Sequence, residues 1–68
     1  MAPKFDHRKD MVNVTDKSSP MSGKFGHIKG EPRKTPDGYV YTVVVGGFYG
    51  PAKVLEFNES QLAFDYLA

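Results

Sequence analysis

The chain has 68 residues, nine Lys and Arg against eight Asp and Glu, and 40% hydrophobic residues. This composition suits one small globular domain and excludes a fibrous or a multidomain protein. Cysteine is absent, which excludes disulfides and thiolate zinc sites, and two distant histidines do not favour a metal site. The longest apolar run, residues 43–45, is too short to span a membrane. We therefore expect no cofactor, no metal and no membrane, and the lack of an apolar leader predicts a cytoplasmic location.

The first ten residues are charged and aperiodic. They carry a single aromatic side chain, Phe5, among Lys, Asp, His and Arg residues. Such a segment does not predict a strand or a helix. We expect residues 1–10 to form a flexible N-terminal arm and residues 11–68 to form the folded domain.

Five segments beyond the arm are typical of short β-strands. They alternate apolar and polar residues or consist of β-branched and aromatic residues, and Gly, Pro, Ser and Asp clusters separate them. Asn58 is a suitable cap for one 3₁₀ turn before the last strand. The predicted strands are 11–15, 24–30, 39–45, 52–57 and 63–67.

An all-β domain with five strands and little room for helices is predicted to curl into a small barrel, since closure covers the strand edges. Gly26 lies inside the second strand, where it indicates a bend or a close approach of backbone. The apolar positions expected to face the core are Val12, Val14, Ile28, Val43, Val45, Leu55, Phe57 and Leu62.

Two stretches of the chain resemble a known motif. An apolar-x-apolar strand at 12–14 is followed by a loop and then by Ser-Gly-Lys-Phe-Gly-His-Ile at 22–28. This order resembles the KOW motif of ribosomal proteins and NusG-type transcription elongation factors. The resemblance implies a five-stranded SH3-like barrel with a 3₁₀ turn before the closing strand, and it implies RNA or DNA binding. The loop after the first strand departs from the motif, because Lys17 occupies the place of the usual glycine.

Charge is distributed unevenly along the chain. Residues 1–34 hold eight Lys and Arg against four Asp and Glu, whereas residues 35–68 hold one against four. Cations with interleaved aromatic rings are what a single-stranded nucleic acid requires. The alternative is that these cations form a solvated surface. The candidate nucleic-acid-binding residues are Lys24, His27, Lys29, Arg33, Lys34, Tyr39 and Tyr41.

A second candidate site lies in the glycine-rich connection 46–51. Phe48 and Tyr49 are suited to anchor a protein partner, and Glu56 and Glu59 lie close by in sequence. The near-neutral net charge favours protein binding, and we therefore rank the protein-binding hypothesis ahead of the nucleic-acid-binding hypothesis. The chain would then be an accessory subunit, or a phage- or mobile-element-encoded modulator of a host complex such as the transcription machinery. Unpaired strand edges leave a monomer and a weak dimer open.

Catalytic motifs do not occur in the sequence. There is no nucleophile elbow, no metalloprotease helix motif and no phosphate-binding loop of the Walker type. A domain of this size also has little room for a catalytic pocket. We therefore expect a non-enzymatic binding module.

Overall fold

A computed structural model describes residues 2–46 and 50–65 of the chain. This part of the chain is all-β, with six antiparallel strands and one 3₁₀ turn, η1, at Glu59–Gln61. The strands are β1 (Met11–Val14), β2 (Phe25–Ile28), β3 (Arg33–Thr35), β4 (Gly38–Val45), β5 (Lys53–Asn58) and β6 (Leu62–Phe64).

The long strand β4 is the centre of the sheet. β5 pairs along one of its edges over six residues, from Val40↔Asn58 to Val45↔Lys53. β2 and β3 share its other edge, where β2 pairs with residues 43–45 and β3 with residues 38–40. β1 then pairs with β2, and β6 with β1. Among the described residues this ladder stays open, since no pairing joins β5 to β6.

The predicted all-β class and the 3₁₀ turn are confirmed, whereas the strand count of five is wrong. The additional strand, β3, lies in a segment that the sequence predicted as a turn. Thr35 and Gly38 form the last pair of a tight hairpin, and the Thr35 hydroxyl donates to the Gly38 carbonyl at 2.8 Å. Gly38 has a φ of 130°, which a residue with a side chain rarely adopts. The predicted closing strand 63–67 is observed at 62–64, and residues 66–68 lie outside the described part.

One face of the curved sheet encloses the core. Seven of the eight predicted core residues are buried there, and Leu55 is partly buried. The sequence missed two further core residues, Phe5 and Tyr41, which are 1% and 0% exposed. Both bring large rings into a core that otherwise consists mainly of valines.

Phe5 packs between strands although it precedes all of them in the chain. Its ring meets Tyr41 edge to face at 5.3 Å and Phe64 at 4.8 Å, between centroids. Asp6 accepts the backbone N–H groups of Lys9 and Asp10 in a turn directly after it. The segment 2–10 therefore contributes Phe5 to the core, whereas the sequence predicted a flexible arm there.

Gly26 is buried in β2, where the neighbouring strand β4 leaves no space for a side chain. A Cβ at this position would collide with the Val44 carbonyl oxygen and lie 3.1 Å from a Val43 methyl carbon. The close backbone approach that the sequence predicted at this glycine is thus present.

The loop between β1 and β2 is held by the 3₁₀ turn. The Gln61 side chain accepts the Asn58 N–H at 2.8 Å and donates to Asp16 at 2.6 Å. Hydrogen bonds from Ser18 and then from Gln61 lower the pKa of the Asp16 carboxyl.

Candidate functional site

The outer face of the sheet, which points away from the core, carries a row of side chains across four strands. Met11 pairs with His27, His27 with Val44, and Val44 with Val54. Because directly paired residues point to the same side of a sheet, these four side chains are neighbours. Their strands alternate regularly, with buried Val12, Ile28, Val43 and Val45 on the opposite side.

Phe25 lies on the same outer face, two residues before His27. Its side chain is 45% exposed, and Val54 is 54% exposed; these are the large hydrophobic residues that the described structure leaves most open to solvent. Met11 and Val44, the other apolar residues of the row, are half-buried. We call Met11, Phe25, His27, Val44 and Val54 the outer-face patch.

One lysine lies at the border of this patch. Lys29 is exposed and has the same parity as Phe25 and His27, and its N–H donates to the Thr42 carbonyl at 2.7 Å, which extends the β2–β4 ladder by one residue. Lys24 is exposed too, but its carbonyl accepts the N–H of core-facing Val14, so alternation directs it to the other face. The patch thus combines apolar side chains and His27 with one cation at its border.

The structure divides the predicted nucleic-acid-binding set. His27 and Lys29 lie on or beside the patch, whereas Lys24 is exposed but pairs with Val14 and has the parity of the other face. Arg33 is exposed and forms an ion pair with Glu56 at 3.2 Å. Lys34 and Tyr39 are a cross-strand pair in the β3–β4 hairpin, with Tyr39 packed against the core.

Tyr41 is not available to a ligand, and its assignment to a binding surface is wrong. The ring is fully buried, and its hydroxyl donates to Glu59 at 2.7 Å while accepting the Phe5 N–H at 3.3 Å. Burial, and then the hydrogen bond to Glu59, raise the pKa of Tyr41 to about 12. The neutral Tyr41 hydroxyl thus links the N-terminal segment to η1 and has a structural role.

The predicted protein-binding set is divided as well. Phe48 and Tyr49 lie outside the described residues. Glu56 is exposed next to Arg33. Glu59 is half-buried and accepts both the Tyr41 hydroxyl and, at 3.0 Å, the Lys4 N–H. Glu59 therefore fastens the N-terminal segment to the turn η1.

A shallow cleft of about 610 Å³ separates the N-terminal segment from the β3–β4 turn and η1. Its lining includes Lys4 and Lys34 together with Asp37, Glu59 and Tyr39. Two cations and two carboxylates give this cleft no preference for a charged ligand.

Most of the outer-face patch was not assigned to a site from the sequence. The predicted core residues Val43, Val45, Leu55 and Phe57 imply by alternation that Val44 and Val54 face outward, but alternation does not show which strands are neighbours. The strand register supplies this information: Gly26 opposite Val45 fixes the parity of β2 against β4, and His27 then falls beside Val44. A register derived from the hairpin turns would have identified the row.

Comparisons with known proteins identify no relative: a scan against protein-family models, a search of curated proteins and a search of solved structures each gave no match. Within residues 2–46 and 50–65, no three His, Asp or Glu side chains are grouped to hold a metal ion. The same residues contain no helix that is long and apolar enough to cross a membrane.

Proposed function

We propose that this chain is a non-enzymatic binding module that docks on a protein partner through the outer-face patch. The observation that carries the proposal is the continuous row from Met11 to Val54 with Phe25 beside it. Scattered single hydrophobic residues are common on surfaces, but a contiguous apolar patch marks an interaction site. A rigid sheet presents it with little loss of conformational entropy on binding.

The chemistry of the patch defines the partner. Apart from His27 its side chains are apolar, and they include a half-exposed aromatic ring of the kind that anchors interfaces. Its border carries Lys29, while the carboxylate at its far end, Glu56, is paired with Arg33. The complementary surface is therefore largely apolar with an acidic residue that faces Lys29. The SH3-like barrel that the sequence resembles is consistent with an open antiparallel sheet of this strand order, and we retain that fold as part of the proposal.

Affinity capture with matched variants tests this proposal. The wild-type chain, Phe25→Ser and Lys17→Ser are immobilised and exposed to nuclease-treated extract of the source cells. Lys17 is exposed in the β1–β2 loop, away from the patch, and so serves as the control. We expect a protein that wild type and Lys17→Ser retain equally and that Phe25→Ser retains at least about tenfold less, as for an interface anchor. Equal retention by all three chains would overturn the proposal.

Nucleic acid is the second candidate ligand. The specific observation in its favour is that Phe25 and His27 lie on one face, and Lys29 is the next residue of the same parity. Bases stack on such rings and phosphates pair with such cations. Since this mode depends on charge, Lys29→Glu would abolish it and flatten its salt dependence.

A further inference from the structure

The outer edge of β5 offers hydrogen-bonding groups that residues 2–46 and 50–65 do not use. Lys29 donates to the Thr42 carbonyl, so the backbone groups of Thr42 point toward β2. Successive residues of a strand point their N–H and C=O groups to opposite edges. Tyr41 and Val43 therefore point toward β5 and bond to Phe57 and Leu55, their partners in the register.

It follows that Val54 and Glu56 point their backbone groups away from β4. Asn58, two residues further along, agrees with this direction, because its N–H leaves the sheet to donate to the Gln61 side chain. Within the described residues, no backbone hydrogen bond outside the strand ladder involves Val54 or Glu56. Both residues are exposed, and Val54 is the most exposed large hydrophobic side chain in the described part of the chain.

The other end of the ladder, β6, is a poorer edge. It is three residues long, and the N–H of Leu62 is bonded to Glu59 within the turn. β5 is twice as long, and all six of its residues pair with β4 without a bulge. An unpaired edge strand of this length is a template for another strand.

We infer that β5 pairs with β5 of a second copy of this chain in an antiparallel, twofold-symmetric manner. The chain's own residues select the register. Val54 faces the partner's Glu56, Glu56 faces the partner's Val54, and Leu55 meets the partner's Leu55 on the axis. Every outward backbone group of Val54 and Glu56 is then satisfied, and the buried and outer faces of both sheets are kept continuous.

The neighbouring registers are worse for identifiable reasons. A shift by one residue brings the outer face of one copy against the core face of the other. A shift by two in one direction sets Glu56 opposite the partner's Glu56 and requires the N–H of Asn58, which already binds Gln61. The opposite shift pairs Val54 with itself and draws in Ala52, which lies beyond the strand and next to Pro51, a residue without an N–H.

Association is expected to be weak, because two short strands bury little surface compared with a stable interface. It does not depend on the proposed docking function. It would, however, join two outer-face patches edge to edge on one continuous sheet, with Val54 of each copy near the seam.

Two substitutions at one exposed position test the pairing. Val54→Lys and Val54→Glu lose the same apolar side chain, but the lysine faces the partner's Glu56 and the glutamate faces a like charge. Sedimentation equilibrium from micromolar to millimolar protein at low salt measures the dimer. We expect wild type and Val54→Lys to dimerise and Val54→Glu to dimerise at least about tenfold more weakly than Val54→Lys. Thermal unfolding verifies that both variants are folded, and Phe25→Ser, which leaves β5 unchanged, is expected to dimerise like wild type.

Two results would overturn the inference. A wild-type chain that stays monomeric at millimolar concentration excludes the pairing. A dimer that Val54→Lys and Val54→Glu affect equally excludes this register and edge.

Discussion

At the scale of single residues, the side chains with the greatest structural importance are those that join the N-terminal segment to the sheet. Phe5 inserts its ring between Tyr41 and Phe64, and Glu59 accepts hydrogen bonds from both Lys4 and Tyr41. Lys4 also places its ammonium group 5.4 Å from the centre of the Phe5 ring. The N-terminal segment thus closes the core at a place where the strand ladder is open.

Truncation of Phe5 is expected to be severe. Phe5→Ala leaves a cavity beside Tyr41 and Phe64, and such truncations cost about 3–5 kcal/mol of unfolding free energy. Urea unfolding measures this loss, with Phe25→Ala as the control because its ring is 45% exposed. Equal stability of Phe5→Ala and Phe25→Ala would show that the N-terminal segment is not part of the core.

Alkaline titration tests the environment of Tyr41. Its pKa is raised from the ordinary tyrosine value of 10.0 to about 12 in the folded chain, so the unfolded chain releases this proton first as the pH rises. The contribution of Tyr41 is fully present below pH 10, and the free energy of unfolding falls between about pH 10 and pH 12. We expect Tyr41→Phe to lack this part of the decline and Tyr39→Phe to retain it, as measured by urea unfolding at several pH values. An unchanged decline in Tyr41→Phe would contradict the buried phenol.

At the scale of elements, strand β2 depends on the absence of a side chain at one position. Gly26→Val would drive its Cβ into the Val44 carbonyl and force β2 and β4 apart. A clash with backbone is not relieved by a rotamer change, and we expect a loss of about 3 kcal/mol or more. Gly50→Ala is the matched control, since a Cβ there meets nothing within 4 Å. Thermal unfolding compares the two, and a Gly26→Val chain as stable as Gly50→Ala would refute the observed register.

The sequence predicts elements well where alternation is strong and poorly where short polar segments pair. β1, β2 and β4 follow from their β-branched and aromatic residues. β3 does not, because Arg-Lys-Thr between two prolines has no apolar period. Its pairing comes from the hairpin geometry of Thr35 and Gly38, which acts between strands rather than within one.

The candidate site shows the same limit. Cations beside an aromatic residue form a local pattern that selects His27 and Lys29, but the same pattern selects Lys24, which the ladder pairs with core-facing Val14. Tyr41 was assigned to the surface although it shares the parity of Val43 and Val45, which the sequence placed in the core. Its burial and the hydrogen bond from Phe5 show that it points inward. Val54 joins the row through the pairing of β5 with β4.

At the scale of the whole molecule, the two faces of the sheet differ in composition. The inner face, together with Phe5, forms the core, whereas the outer face exposes Phe25 and Val54 and has Lys29 at its border. The Arg33–Glu56 ion pair on that outer face adds little stability, because both side chains are more than half exposed. Substitution of Arg33 or Glu56 is therefore expected to change the free energy of unfolding only slightly.

The class of ligand is the central claim, and an amide NMR titration of labelled protein with short single-stranded RNA and DNA tests it most directly. If the outer-face patch binds a protein, Phe25, His27 and Lys29 show no salt-sensitive shifts with either nucleic acid, even at low ionic strength. Shifts at these three residues that weaken as salt rises would contradict it and make the patch a nucleic-acid surface.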